Sequence, residues 1–569
     1  MKHLSGRRLV ALLAALLLGL GGIVVRLGFL QVRGAEDLAE RGLAQRLKTF
    51  ELAADRGMIL DRSGAPLAIS LEARDIYADP TLVDDPVEQA IVLAPVLGRP
   101  VGELERALAA PGTFAYLARQ VDVDVAESVA ALRLPGIGSL PSTRRSYPSG
   151  DLASQVLGFV GTDGYGLEGL EAAFEDELAG TPGTRRAEVS ASGQEIPGGE
   201  GTLQEPRPGR DLVTTIDREI QYQAQSALRR AVKENGAIGG TIIVMDPITG
   251  DVYAMASYPW FDPNRFGEFE VDRRRNRAVT DTWEPGSVNK IITAAAAIET
   301  GSVALDERFA VPAARRVSGF TIHDSHPHPV ARMTLGDIIA KSSNIGASLV
   351  ADQVGNGPLV RFLSRFGYGR PTGIGLPGEA GGVLPPLDGW SDVTRATVSF
   401  GQGVSVTPLQ MASVYATVAN GGVWVRPRIV RGTKGPGGTL TPAPGPATRR
   451  VLSPETADLL TRMLAYVVED GTGGNAQIPG FQVAGKTGTT KKLDRNGSYT
   501  NRYVASFIGF LPAAEPRVVV VAIIDEPQTV YGGIAAAPLF QDVARFAIQR
   551  LGIEAAPPVD LPPHVRLTA

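Results

Sequence analysis

Glu284-Pro285-Gly286-Ser287-Val288-Asn289-Lys290 is the stretch on which the reading of this chain turns. It holds the only Ser-x-x-Lys in the sequence, and the apolar run Ile291-Ile292-Thr293-Ala294-Ala295-Ala296-Ala297 follows it directly. Pro285 at one end and Gly301 at the other predict a helix between them. A spacing of three puts Ser287 and Lys290 on one face of that helix. Ser287 then lies near the helix N-terminus, where the dipole favours developing negative charge. A serine hydroxyl is a poor nucleophile until a base takes its proton. Lys290 is a candidate base if burial lowers its pKa enough to leave it neutral. Alone the motif is weak, because a surface Ser and Lys one turn apart are common.

Two further stretches carry candidate chemistry. Ser342-Ser343-Asn344 follows a helix that Thr334 can cap, with Asp337 three residues on. Ser342 can relay a proton and Asn344 can bind an amide; taken alone, the three residues read as an ordinary cap. Lys486-Thr487-Gly488-Thr489 follows the strand-like Phe481-Gln482-Val483-Ala484-Gly485. Period two places Lys486 and Gly488 on one face. Lys486 would offer positive charge to a carboxylate, and Gly488 would let a substrate backbone approach. The backbone N–H of Thr489 could join that of Ser287 as an oxyanion hole. His323, Asp324, His326 and His328 could hold a metal, but a polar loop beside the site is the favoured reading, so the expectation is no metal and no cofactor.

Outward from these motifs, Thr241 to Met245 and Asp251 to Ser257 predict two strands around an Asp246–Gly250 turn. Tyr503 to Phe510 and Arg517 to Ile524 predict two more, and Leu539 to Leu551 an amphipathic helix. Strands at both ends and helices between them imply an antiparallel sheet flanked by helices, with an all-helical lobe. Upstream, Arg56 to Ile69 reads as a hairpin around Ser63-Gly64, residues 84 to 133 as helical, and 191 to 209 as a linker. Residues 33 to 50 also read as helical, and 435 to 446 as a Gly/Pro loop. The expected fold class is therefore α+β. The expected domains are a short N-terminus (1–8), a membrane-spanning helix (9–32), a pedestal (33–205), the catalytic domain (206–553) and a Pro-rich tail (554–569).

Composition narrows the class of protein. The 569 residues carry a net charge of −4, which gives no sign of nucleic-acid binding. The absence of cysteine excludes thiol catalysis, disulfides and Cys-based zinc sites. Nine lysines stand against 47 arginines, and two of the nine fall in the motifs above. Leu9 to Val32, interrupted only by Arg26, would span about 36 Å as a helix, enough for a bilayer core of about 30 Å. Lys2, Arg7 and Arg8 precede it, so the N-terminus is expected on the cytoplasmic side and the rest outside. A cleaved signal peptide is the rival reading, but no small-x-small site follows the apolar core. Arg26 either snorkels to the interface or faces a partner membrane protein.

Ser-x-x-Lys, Ser-x-Asn and Lys-Thr-Gly in this order are far more specific together than apart, and they mark penicillin-binding proteins and serine β-lactamases. The chain resembles a class B penicillin-binding protein over nearly its whole length. Arg56 to Ala68, Arg145-x-Tyr147-Pro148 and Gly166-Leu167-Glu168-Gly169 match that family's pedestal motifs, which β-lactamases lack. Asp211 to Asp217, Phe400-Gly401-Gln402-Gly403 and Val406 to Gln410 match as well. His323-Asp324, Ser506 to Phe510, Tyr531-Gly532-Gly533 and Ala537 to Phe540 are most similar to the division transpeptidases of the FtsI family.

The resemblance implies a D,D-transpeptidase in which the D-Ala-D-Ala end of a peptidoglycan stem peptide acylates Ser287, with β-lactams as mimics that trap it. Lys290, Ser342, Asn344 and Lys486 complete the implied catalytic set, and Thr487, Gly488 and Thr489 the substrate-binding edge. The implied partners are an FtsW-type glycan polymerase and other divisome proteins. An elongation or sporulation role, an idle scaffold that only activates its polymerase, and a penicillin sensor or hydrolase are the alternatives. Asn289 stands where many relatives carry a bulkier apolar residue, and it is expected to point away from the reacting face.

Overall fold

The computed structural model describes residues 6–32, 46–188, 196, 201–494 and 496–563. The chain forms two compact units, Met1–Asp55 with Gly180–Gly209, and Arg56–Ala179 with Arg210–Ala569. The first contains the helix Gly6–Val32, whose apolar window is long enough to cross a membrane. It also contains a three-stranded sheet of Leu47–Leu52, Gly183–Glu188 and Gly201–Gln204. Two expectations change here. The stretch to Phe50, expected as helix, ends in a strand from Leu47, because antiparallel pairing with Gly183–Glu188 overrides local propensity. The expected linker contributes the strand Gly201–Gln204, paired with the same partner. Residues 33–45, 189–195 and 197–200 lie outside the described residues.

In the second unit the predicted hairpin forms between Ile59–Leu60 and Pro66–Ala78. Its second strand runs much further than expected, pairing with Ile137–Ser146 and Ala115–Val121. The strand Ala115–Val121 interrupts what read as a helical region. Its Ala and Leu content suits either state, and Leu117 and Ala118 pack into the small core built with helices Pro86–Leu97, Val101–Leu108 and Val123–Ala131. The same sheet continues through Asp211–Thr214 to Val430–Lys434 and Leu440–Pro442, the last lying in the expected Gly/Pro loop. Contacts join Arg56–Ala179 and Arg210–Ala569 into one compact unit.

The catalytic half is organised by a five-stranded antiparallel sheet. Its order is Val252–Tyr258, Gly239–Met245, Val518–Asp525, Tyr499–Leu511 and Ala484–Leu493. Both faces are covered, so the central strands are apolar throughout. Ile242, Val244, Val520 and Ala522 join helices Arg218–Glu234 and Ala537–Leu551 in one core. Ile243, Met245, Val519 and Val521, offset by one residue, join the helical lobe in the other. The lobe comprises Lys290–Glu299, Leu335–Ala340, Asn344–Val354, Asn356–Phe366, Pro408–Ala419 and Pro454–Asp470. Two unforeseen two-stranded ribbons, Phe309–Val311 with Ala331–Met333 and Arg315–Val317 with Phe320–Ile322, project from it. The described part of the expected tail packs back on the domain. Leu561 is buried, and Val559 exchanges hydrogen bonds with the Gln482 side chain at 2.7 and 2.9 Å.

Candidate active site

The nucleophile stretch begins as a turn of 3-10 helix, Gly286–Asn289, and continues as the α-helix Lys290–Glu299. Gly286 donates its N–H to the Gly401 carbonyl at 3.0 Å. A side chain at Gly401, with φ of +83°, would put its Cβ 2.3 Å from the Gly286 carbonyl. Only glycine lets the two turns meet this closely. Beneath, Asn289 is fully buried. Its Nδ2 donates to the Val398 carbonyl at 2.8 Å, and its Oδ1 accepts from the Tyr368 hydroxyl at 2.6 Å. It points into the lobe, away from Ser287.

The first two motifs meet at Lys290. Its Nζ lies 3.1 Å from Ser287 Oγ, 3.2 Å from Ser342 Oγ, 2.5 Å from the Ser342 carbonyl and 2.8 Å from Asn344 Oδ1. Ser342 sits in the left-handed region with φ of +59°, at the turn between helices Leu335–Ala340 and Asn344–Val354. That conformation is rare for a serine, and here the turn brings both its carbonyl and its hydroxyl to Lys290. Thr334 and Asp337 form the predicted capping box at the start of the preceding helix.

Lys290 is wholly buried and makes no ion pair among the described residues. Burial first, and the charge of Lys486 second, push its pKa well below the lysine range, with Asp324 opposing. Lys486 is also buried, which lowers its pKa to about 7. An amine beside a hydroxyl, neutral through desolvation, can take the hydroxyl proton.

Ser287, Ser342, Asn344, Thr487, Thr489 and Tyr531 line one cleft of about 740 Å³. Lys486 lies behind its wall, and the strand Ala484–Leu493 turns Thr487 and Thr489 to the cleft instead. A Cβ at Gly488 would lie 2.3 Å from Ser506 Oγ and 3.1 Å from Val288 Cγ1, so this glycine admits the cross-strand neighbour and the nucleophile turn. Ala484–Leu493 is the outer strand of the sheet, so alternate backbone groups remain open for an added extended peptide. The Thr472 and Thr487 hydroxyls meet at 2.6 Å, and Thr489 Oγ1 accepts from Gly532 N at 3.0 Å.

Asp324 was not among the expected site residues, yet it holds the second motif in place. Its Oδ1 accepts from the N–H groups of Asn344 and Ile345 at 2.6 and 3.0 Å, and its Oδ2 from Ser343 Oγ at 2.6 Å. Burial pushes its pKa up, but hydrogen bonds from Ser343, Ile345 and His328 outweigh that and hold it down. His328 Nε2 lies 2.9 Å from the same carboxylate, and the His326 ring stacks on Tyr531. Among the described residues no group of three His, Cys, Asp or Glu is placed to hold a metal. The signal for Asp324 was its place before Ser343 in the His323-Asp324 stretch, but a long loop hid the contact. Glu284 was missed likewise. It accepts from Gly403 N at 2.7 Å and from the Tyr499 hydroxyl at 2.9 Å, tying the nucleophile turn to the hairpin beside it.

A serine touching a buried lysine that has no ion pair among the described residues, at the edge of a sheet open to an extended peptide, is the equipment of a serine acyl-transferase. Comparison with known proteins agrees. The family profile of the penicillin binding protein transpeptidase domain matches residues 240–545, and that of the penicillin-binding protein dimerisation domain matches 51–214. The chain belongs to the class B penicillin-binding proteins. It is 36% identical to penicillin-binding protein PbpB of Mycolicibacterium smegmatis, over 98% of this chain and 91% of that one. It is also 36% identical to the peptidoglycan D,D-transpeptidase FtsI of Escherichia coli K12, over 96% of this chain and 92% of that one. The solved penicillin binding protein 3 of Mycobacterium tuberculosis superposes with a TM-score of 0.71 at 33% identity, covering 91% of this chain and 100% of that one.

Proposed function

We propose that this chain is a peptidoglycan D,D-transpeptidase working through an acyl-Ser287 intermediate. The observation that carries the reading is the buried Lys290 amine 3.1 Å from Ser287 Oγ, its pKa pushed well below the lysine range by desolvation. Lys290 takes the hydroxyl proton as Ser287 Oγ attacks the penultimate D-Ala carbonyl of a stem peptide. The tetrahedral oxyanion is met by the Ser287 and Thr489 N–H groups. The C–N bond breaks as Ser342 Oγ gives its proton to the departing D-Ala nitrogen and takes in its place the one Lys290 holds, 3.2 Å away. An amine of a second stem peptide then attacks the ester, giving the crosslink and restoring Ser287. Asn344 orients the donor amide, Thr487 and Gly488 help shape the edge where it adds, and Lys486 supplies positive field for its carboxylate. A β-lactam would acylate Ser287 in the same way and stay.

The domain reading follows from this function. Residues 206–553 carry the transpeptidase, 33–205 form the pedestal, and the helix within 9–32 anchors the chain with its N-terminus inside and the cleft outside. The likeness to FtsI favours septal wall synthesis beside an FtsW-type polymerase. Labelling membranes with a fluorescent penicillin tests the chemistry: the wild type should label and Ser287→Ala should not. Equal labelling would remove Ser287 as nucleophile. Depleting the protein in its host tests the septal role. Filaments that fail to constrict support it, and rounded cells that still divide would move the enzyme to elongation.

A further inference from the structure

Away from the cleft, a second concavity of about 300 Å³ is lined by Arg365, Arg370, Thr372, Gln410, Trp424 and Arg449. Arg365, Arg370 and Arg449 are among its lining residues and no carboxylate is, although Glu379 accepts from the N–H of lining residue Thr372 at 2.7 Å and Arg365 Nη2 donates to the Arg450 carbonyl at 3.3 Å. Several other arginines of this domain are matched with acids. Arg395 meets Asp352 and Asp392, Arg502 meets Glu526, and Arg550 meets Asp217 and Glu219. None of the three pocket arginines forms an ion pair among the described residues. The acid whose charge reaches Arg365 is Glu299, and Ser453 N already donates to that carboxylate.

The pocket is also pre-organised. The Arg449 guanidinium stacks 3.8 Å from the Trp424 ring centroid, and its Nε and Nη2 donate to the Arg365 carbonyl at 3.3 and 3.0 Å. Gln410 Nε2 donates to the carbonyls of Gly367 and Arg370 at 3.1 and 2.9 Å, pinning the loop that forms one side. Tyr368, in that loop, is fixed by its bond to Asn289. Like charges held together raise the free energy of the empty pocket, and Arg449 feels both its burial and the charge of Arg370. An oxyanion would relieve this, and guanidinium groups match phosphate geometry through paired N–H donors.

We propose that this pocket binds a small soluble polyanion of the phosphate class, with a diphosphate matching three cations better than any monoanion. Isothermal titration of the full-length protein in detergent, at low ionic strength and in a phosphate-free buffer, tests it with inorganic pyrophosphate. The expected result is saturable one-to-one binding that Arg370→Ala/Arg449→Ala weakens about tenfold or more. Acetate should compete poorly. Arg99→Ala/Arg106→Ala removes the same charge from the pedestal and should bind like wild type. Because Arg449 packs on Trp424, Arg370→Ala alone provides a variant whose lost side chain is exposed, and it too should weaken binding. Melting temperature and penicillin labelling verify that each variant is folded. Absence of saturable binding, or equal weakening by the pocket and pedestal pairs, would overturn the proposal.

Discussion

Two regions of this molecule bury cations, and they treat them in opposite ways. In the pedestal, Arg56 donates to Glu171 Oε2 at 2.8 Å, to the Glu171 carbonyl at 2.9 Å and to Glu175 Oε2 at 2.7 Å. Arg145 donates to the other Glu171 oxygen at 2.7 Å, and the Tyr147 hydroxyl lies 3.3 Å from it. Every charge there has an opposite within reach, and burial of Arg56 is outweighed by its two glutamates, so its pKa stays high. In the cleft, Lys290 and Lys486 are just as deeply buried, but their neighbours are hydroxyl, carbonyl and amide oxygens. Matched charge fixes geometry and holds the pKa up, whereas unmatched charge has its pKa pushed down by desolvation. The residue types fit the division, because arginine does not deprotonate in proteins and lysine does so when desolvated.

The largest expected effect comes from removing the unmatched cation at the centre. Lys290→Met keeps the volume and deletes the base, so acylation by a β-lactam should fall by roughly 10²- to 10⁴-fold. The melting temperature should change little, because no ion pair is lost. Stopped-flow acylation beside a thermal melt gives both numbers. A large loss of stability with normal acylation would mean that Lys290 is a structural cation like Arg56.

Glu171→Ala is the converse experiment. It strands the buried Arg145 guanidinium, leaves Arg56 with Glu175 alone, and should cost roughly 3–5 kcal/mol of stability, read from urea unfolding. The fraction that remains folded should still acylate, since Glu171 touches nothing in the cleft. Acylation lost in parallel with no change in stability would break the contrast.

Proton linkage separates the two regions more finely. Lys486 has a folded pKa of about 7 against an ordinary value of 10.5. Between those values the unfolded chain binds more protons than the folded one, so stability rises with pH. Lys290, also lowered, contributes with the same sign. The wild type should therefore gain stability from about pH 7.5 to about pH 9.5, and Lys486→Met should gain less. Glu171→Ala, though less stable throughout, should keep the wild-type slope, because arginines do not titrate there. Equal slopes in wild type and Lys486→Met would show that Lys486 holds its charge when folded.

What the sequence made legible follows the range of the interactions. Strands such as Thr241–Met245, and the capping box of Thr334 and Asp337, are set by residues within a few positions of one another, and they formed as read. Leu47–Leu52 and Ala115–Val121 owe their state to partners far along the chain, so local composition misread them. The same holds at the site. Ser287 and Lys290 share a turn and were evident from spacing. Asp324 reaches Asn344 across a loop, and Glu284 reaches Tyr499 across 215 residues.

Tyr368→Phe should give the smallest effect, and it probes the ground between the two regimes. Asn289, between the nucleophile and its base, is buried and neutral with both ends of its amide engaged. Removing the Tyr368 hydroxyl leaves Asn289 Oδ1 without its donor, a cost of about 1–3 kcal/mol for a buried acceptor. The Nδ2 bond to Val398 persists, and the 3-10 turn is still held by Gly286 against Gly401. Stability should fall by that amount while the acylation rate stays within about threefold of wild type, a barrier change well under 1 kcal/mol. A much larger rate loss would mean that the turn depends on the Asn289 amide for its position, making a neutral hydrogen bond as important to the nucleophile as the uncharged lysine beside it.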